Sequence, residues 1–141
     1  MAFVGIDVSK DKLDVLWLRQ NAPLKVKTRV FRNHRPLLKE VAEWLLKQTE
    51  EAPENIHVVL EATSIYHENL SHALHEAGFI VYVANPARVK DFARSEGALN
   101  KTDKKDSLVL ALYGQEKHSR LVRWQPEARE IRELRSLMAR L

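Results

Sequence analysis

Cysteine is absent from the 141 residues, so disulfides and thiolate metal sites are excluded. Any metal would be held by Asp, Glu, His or backbone oxygen, a donor set that favours Mg²⁺ or Mn²⁺ over structural zinc. Glycine is scarce, four in all, and no glycine-rich loop is present to cradle phosphates, which argues against a sugar-kinase or actin-like ATP site. No apolar run approaches the roughly 18 residues of a membrane span, and the N-terminus lacks the basic-then-apolar pattern of a signal peptide. A cytoplasmic protein with no membrane partner is expected. Charge, by contrast, is plentiful: 23 Lys and Arg against 19 Asp and Glu leave +4, which suits a polyanionic partner. The length allows one domain, a single sheet with its helices.

The first stretch, Ala2–Val8, is a short run of β-formers around Gly5 and reads as a buried strand. Asp7 lies near its end, where a carboxylate is costly to bury unless it meets a cation or hydrogen-bond donors. It either caps the Ser9–Lys12 turn or holds a metal. Leu13, Val15 and Trp17 alternate with Asp14, Leu16 and Leu18, a second strand apolar on both faces and so interior to the sheet. After the turn at Asn21, Ala22 and Pro23, the strand Leu24–Phe31 sets Lys25, Lys27 and Arg29 against Val26, Thr28 and Val30. One basic and one apolar face suit a sheet edge. Asn33 is expected to cap a helix with Pro36 in its first turn, running to about Thr49 on a stripe of Leu37, Val41, Trp44 and Leu45.

Ile56–Leu60 is a further buried run closed by a carboxylate, Glu61. A helix striped by Tyr66, Leu70, Ala73, Leu74 and Ala77 follows, capped by Thr63 or Ser64 and stopped by Gly78. Phe79–Val83 completes a βαβ unit, so the neighbouring strand ends place Asp7 and Glu61 across one crevice, the edge at which open α/β sheets bind ligands. Beyond Asn85–Pro86 a basic, loop-like segment carries Arg88, Lys90, Arg94, Lys101, Lys104 and Lys105, with a bend at Gly97. Thr102 then opens a helix from Asp103 to about Gln115 on a stripe of Leu108, Ala111 and Leu112. Its first turn would project Asp103 and Asp106 from one face. Two unit charges 4 Å apart repel by about 4 kcal/mol at an effective dielectric of 20, so four converging carboxylates call for cations. A pair of divalent ions there could activate a water and stabilise the leaving oxygen of a phosphodiester.

The strings Val4-Gly5-Ile6-Asp7-Val8-Ser9-Lys10, Leu60-Glu61-Ala62-Thr63-Ser64-Ile65-Tyr66-His67, Asn85-Pro86 and Lys101-Thr102-Asp103-Lys104-Lys105-Asp106 resemble the N-terminal DEDD domain of bacterial insertion-sequence transposases. That family includes pilin-gene-inverting site-specific recombinases, and its domain is RuvC-like, of the ribonuclease H fold. Ser64 and Ser107 stand where the pattern usually has Gly and Ala. The resemblance implies that Asp7, Glu61, Asp103 and Asp106 are the catalytic acids and bind two Mg²⁺ (or Mn²⁺) ions. It also implies DNA as the partner, with a guide RNA in some members. Lys10, Arg88, Lys90, Arg94, Lys101, Lys104 and Lys105 are the candidate contacts to nucleic acid.

The expected architecture is α/β: a mixed five-stranded sheet, order 3-2-1-4-5, flanked by helices, over residues 1–120. Residues 121–141 begin a coiled-coil linker, with Ile131, Leu134, Met138 and Leu141 on one seam, through which a homo-oligomer would form. The family's serine-containing C-terminal domain is expected to be missing from this chain. Two other readings stay open: a stand-alone junction-cleaving nuclease, and a DNA- or RNA-binding module whose acids are structural.

Overall fold

The computed structural model describes residues 1–62, 65–96 and 105–127, together with 134 and 137–139. Five strands, β1 (Ala2–Val8), β2 (Lys12–Asn21), β3 (Leu24–Arg32), β4 (Ile56–Glu61) and β5 (Ile80–Ala84), form one sheet in the order β3-β2-β1-β4-β5. The β1–β2 and β2–β3 pairs are antiparallel, and β1–β4 and β4–β5 are parallel. The mixed 3-2-1-4-5 order is the one the sequence led us to expect.

Strand alternation divides the core. Val4 and Ile6 of β1, with Leu13 and Val15 of β2, turn to the face covered by α1 (Leu38–Thr49) and α2 (Glu68–Glu76). Leu16 and Leu18 turn to the opposite face, against Leu108 and Ala111 of α4 (Asp106–Lys117). β2 is therefore buried on both sides, as its doubly apolar pattern required.

Gly5 sets how closely α4 approaches the sheet. A Cβ there would overlap the Ser107 carbonyl oxygen and lie 2.7 Å from the Ala111 nitrogen, so only glycine lets the helix backbone rest on β1. Ser107 is accordingly buried, at 2% exposure.

Three expectations are corrected and one is met. Asn33 does not cap α1: a short 3₁₀ turn (Arg35–Leu37) precedes the helix, and the Asn33 amide instead donates to the Ser9 carbonyl at 2.7 Å, tying the end of β3 to the first turn. β3 is the edge strand expected, and its apolar face stays open. Val26 and Val30 are 38% and 59% exposed, because α4 reaches over β1 and β2 but stops short of this edge. The segment after Pro86 is not a loop but the helix α3 (Pro86–Ser95). The Asn85 side chain accepts from the Ala87 N–H at 2.8 Å, Pro86 fills the first turn, and Val89 and Phe92 are buried. Finally, α4 begins at Asp106, while Thr102 and Asp103 lie outside the described residues, as do Thr63, Ser64 and Gly97. Because α3 covers its outer side, with Phe92 edge-on to Tyr113 at 5.5 Å, α4 buries Val109, Leu110 and Tyr113 beyond the expected stripe.

After α4 the chain passes from one face of the sheet to the other. Leu121 packs with the α3–α4 cluster, whereas Trp124 joins the α1–α2 core. The Trp124 N–H donates to the Val81 carbonyl of β5 at 2.7 Å, and its ring stands edge-on to His72 and His75 of α2, at 4.9 and 5.7 Å. Of the expected terminal seam, Leu134 and Met138 are helical and exposed, and Ile131 and Leu141 lie outside the described residues.

Candidate metal centre

Two neighbouring strands end in carboxylates. Gly5 pairs with Val59 and Ile6 with Leu60 in parallel register, so Asp7 and Glu61 come next on adjacent chains, about 4.8 Å apart between strands, facing the α4 side. Both are half-buried. Asp106 is the first residue of α4, and the close seat of that helix on Gly5 brings its N-terminus to the same end of the sheet.

The electrostatics bind the three together. Burial raises the Asp7 pKa above its ordinary value; Asp106 and Asp14 raise it further, and Lys12 opposes them. Burial likewise raises Glu61, with Asp106 and then Asp7 adding to the effect. Asp14, not singled out in the sequence, lies directly opposite Asp7 in the β1–β2 ladder. Its place was legible all the same, because a turn over Ser9–Lys12 pairs position 8 with 13 and therefore 7 with 14.

Among the described residues, no group of three or more His, Asp or Glu side chains lies close enough together to hold a metal ion. The carboxylates feel one another's field without closing to a ligand cage. The donor set itself, oxygen only, suits a hard divalent ion. Asp103, the remaining acid of the expected quartet, is outside the described residues.

The expected nucleic-acid contacts are spread over the molecule. Lys10 is exposed in the β1–β2 turn and Lys105 is exposed just before α4, both at the carboxylate end. Arg88, Lys90 and Arg94 are exposed on α3, where Arg94 pairs with Asp91 at 3.5 Å. Arg88 borders a cleft of about 410 Å³ shared by Asp91, Glu116, Lys117 and Arg120, a set of mixed sign. Lys101 and Lys104 lie outside the described residues.

At the other end of the sheet sits a cluster that the sequence reading passed over. His57 is 5% exposed, its Nδ1 lies 3.0 Å from the Tyr82 hydroxyl, and its ring stacks on Phe3 at 5.2 Å with His118 edge-on at 5.3 Å. Burial, then His118, the N-terminus and Arg123, lower the His57 pKa. This is a core histidine held neutral, remote from the carboxylates.

A family model for DEDD transposases of the IS110 type, described as transposase, matches residues 4–140. The pilin gene-inverting proteins of Moraxella bovis and Moraxella lacunata are each 29% identical to the chain over 126 residues. Those matches take in 89% of this chain and 37% of each relative, so the chain spans little more than a third of their length. Among solved structures, T. thermophilus RuvC in complex with a Holliday junction substrate superposes with a TM-score of 0.63 at 17% identity, covering 88% of this chain and all of that one. A second Thermus thermophilus RuvC structure gives 0.60 at 16% identity with the same coverage. These likenesses establish the RuvC-like, ribonuclease H-type fold. Among the described residues no helix is long and apolar enough to cross a membrane.

Proposed function

This chain belongs to the DEDD transposases of the IS110 type, and on that premise we propose that it is the metal-binding catalytic domain of a DNA transposase or recombinase, acting on phosphodiester bonds. The observation that carries the reading is the placing of Asp7 and Glu61 at adjacent strand ends with Asp106 at the start of α4, each of the first two carboxyls raised in pKa by burial first and by its acidic neighbours second. Asp7, Glu61, Asp103 and Asp106 would hold a pair of Mg²⁺ or Mn²⁺ ions, which supply a nucleophile at neutral pH and stabilise the leaving oxygen. The protein's own part is to fix the two strand carboxylates in register and to close the third side with α4. Lys10 and Lys105 border the crevice and would steer a phosphate backbone towards it, with Arg88, Lys90, Arg94, Lys101 and Lys104 farther along the path. A bacterial cytoplasmic setting, a guide RNA and a homo-oligomer built through the terminal seam, of which Leu134 and Met138 are exposed, belong to the same proposal. So does a division into a catalytic unit and a C-terminal linker helix, with the expected boundary at 120 moved later, because residues 121–127 are not helical and Leu121 and Trp124 pack on the catalytic unit.

Calorimetric titration with Mn²⁺ and Mg²⁺ tests it. The wild type should bind, and Asp7→Asn and Asp106→Asn should each weaken binding at least tenfold while keeping the fold by circular dichroism. Unchanged affinity in both variants would remove the carboxylates from the site. Metal-independent cutting of branched DNA by this chain would favour neither the transposase nor any two-metal reading.

A further inference from the structure

Positive charge is distributed unevenly along the chain. From Val15 to Lys39 there are seven Lys and Arg (Arg19, Lys25, Lys27, Arg29, Arg32, Arg35 and Lys39) and no acid. The remaining residues hold 16 Lys and Arg against 19 Asp and Glu, a net of −3. The whole of the molecule's positive excess therefore sits on the β2–β3 hairpin and the approach to α1.

The fold turns that run into a surface. β3 is an edge strand, and every residue from Leu24 to Val30 is exposed. Lys25, Lys27 and Arg29 share the face of Phe31, whose ring meets Trp44 of α1. Lys27 is in register with the half-exposed Trp17 of β2. Two guanidiniums are held in place by rings, Arg29 over Phe31 at 4.6 Å and Arg19 over Trp17 at 5.5 Å, so less side-chain freedom remains to be lost on binding. Among the described residues none of these hairpin cations pairs with a carboxylate, unlike Arg94 of α3.

We propose that this face of the β2–β3 hairpin docks duplex DNA through its phosphates, independently of metal, and so carries more of the DNA affinity than the cations of α3. The inference rests on the reading of the chain as a DNA enzyme. A second copy of the chain does not fit, because pairing β3 with β3 would set Lys and Arg against Lys and Arg. The row from Lys25 to Arg29 spans roughly 13.5 Å of extended strand. That length is comparable to the roughly 12 Å width of the B-DNA major groove, so the row can reach phosphates on both of its rims, whereas the major groove of A-form RNA is deep and narrow.

The test is binding of labelled duplex DNA by fluorescence anisotropy across a salt series, all in chelator, for the wild type and two triple variants. One is Lys25→Gln with Lys27→Gln and Arg29→Gln on the hairpin; the other is Arg88→Gln with Lys90→Gln and Arg94→Gln on α3. Loss of three phosphate contacts should make the slope of log K against log salt shallower by about 2.7 in the hairpin variant. The α3 variant should change it by less than about one unit. Equal slopes in the wild type and the hairpin variant, or a larger loss in the α3 variant, would overturn the proposal. So would tighter binding of duplex RNA or polyglutamate than of DNA. Because metal is absent throughout, failure of the carboxylates to bind metal leaves this result untouched. Thermal melts confirm that both variants, altered only at exposed positions, remain folded.

Discussion

At the scale of single residues, Asp7 and His57 give opposite pH behaviour. The folded-state pKa of Asp7 lies above its ordinary 3.8, so between those values the native state binds more protons than the unfolded chain. Stability is therefore greatest below 3.8 and falls as pH rises through the raised value. Without metal, Asp7→Asn should melt a few degrees above the wild type at neutral pH, and the gain should vanish on acidification, as parallel melts in chelator would reveal. His57 runs the other way. Its pKa is lowered from 6.5, so its contribution is present above 6.5 and is lost as pH falls through that value towards the folded one. His57→Phe should flatten the dependence of melting temperature on pH below the ordinary 6.5, at the cost of the Tyr82 contact. Asp7 and Glu61 were legible in the sequence because a carboxylate closing a buried run is an anomaly there. His57 was not, because a lone histidine within a strand announces nothing until its partners arrive from β1, β5 and the end of α4.

At the scale of elements, the seat of α4 on β1 decides whether the site exists. Gly5→Ala would drive a Cβ into helix backbone, which cannot give way locally, and should cost about 3 kcal/mol or more by urea unfolding. It should also weaken metal binding, since Asp106 moves off with the helix. Gly114→Ala meets only the Val59 side chain, at 2.5 Å, and should cost less. The strands were readable from apolar runs and the turns between them. α3 was overlooked because its cations masked a short stripe of Val89 and Phe92, although Asn85 and Pro86 formed a proper helix start. The breadth of α4's buried surface was likewise hidden, since it depends on α3 lying over it.

For the whole molecule, the residue pattern by itself gave the βαβ unit over 56–83, and the full strand order, now observed, came with the resemblance to the ribonuclease H fold. Burial then predicts a gradient of opening. Amides of β1 and β4, at the centre of the sheet and covered on both faces, should exchange slowest with deuterium, and the outward-facing amides of β3 fastest. Uniform protection across the five strands would contradict the exposed edge.

The crossing after α4 has a mechanical consequence. Because Trp124 is hydrogen-bonded to β5 and wedged against α2, tension on the chain beyond residue 127 meets the α2 side of the sheet first. The carboxylates lie on the other side, at the far end of α4. The Trp124 anchor thus acts as a strain relief: a pull on the chain would be absorbed at the β5 margin before it could lift α4 from Gly5, and Trp124→Ala, which keeps the backbone bond to Val81 but loses the ring's seat against α2, would pass more of that load to the helix.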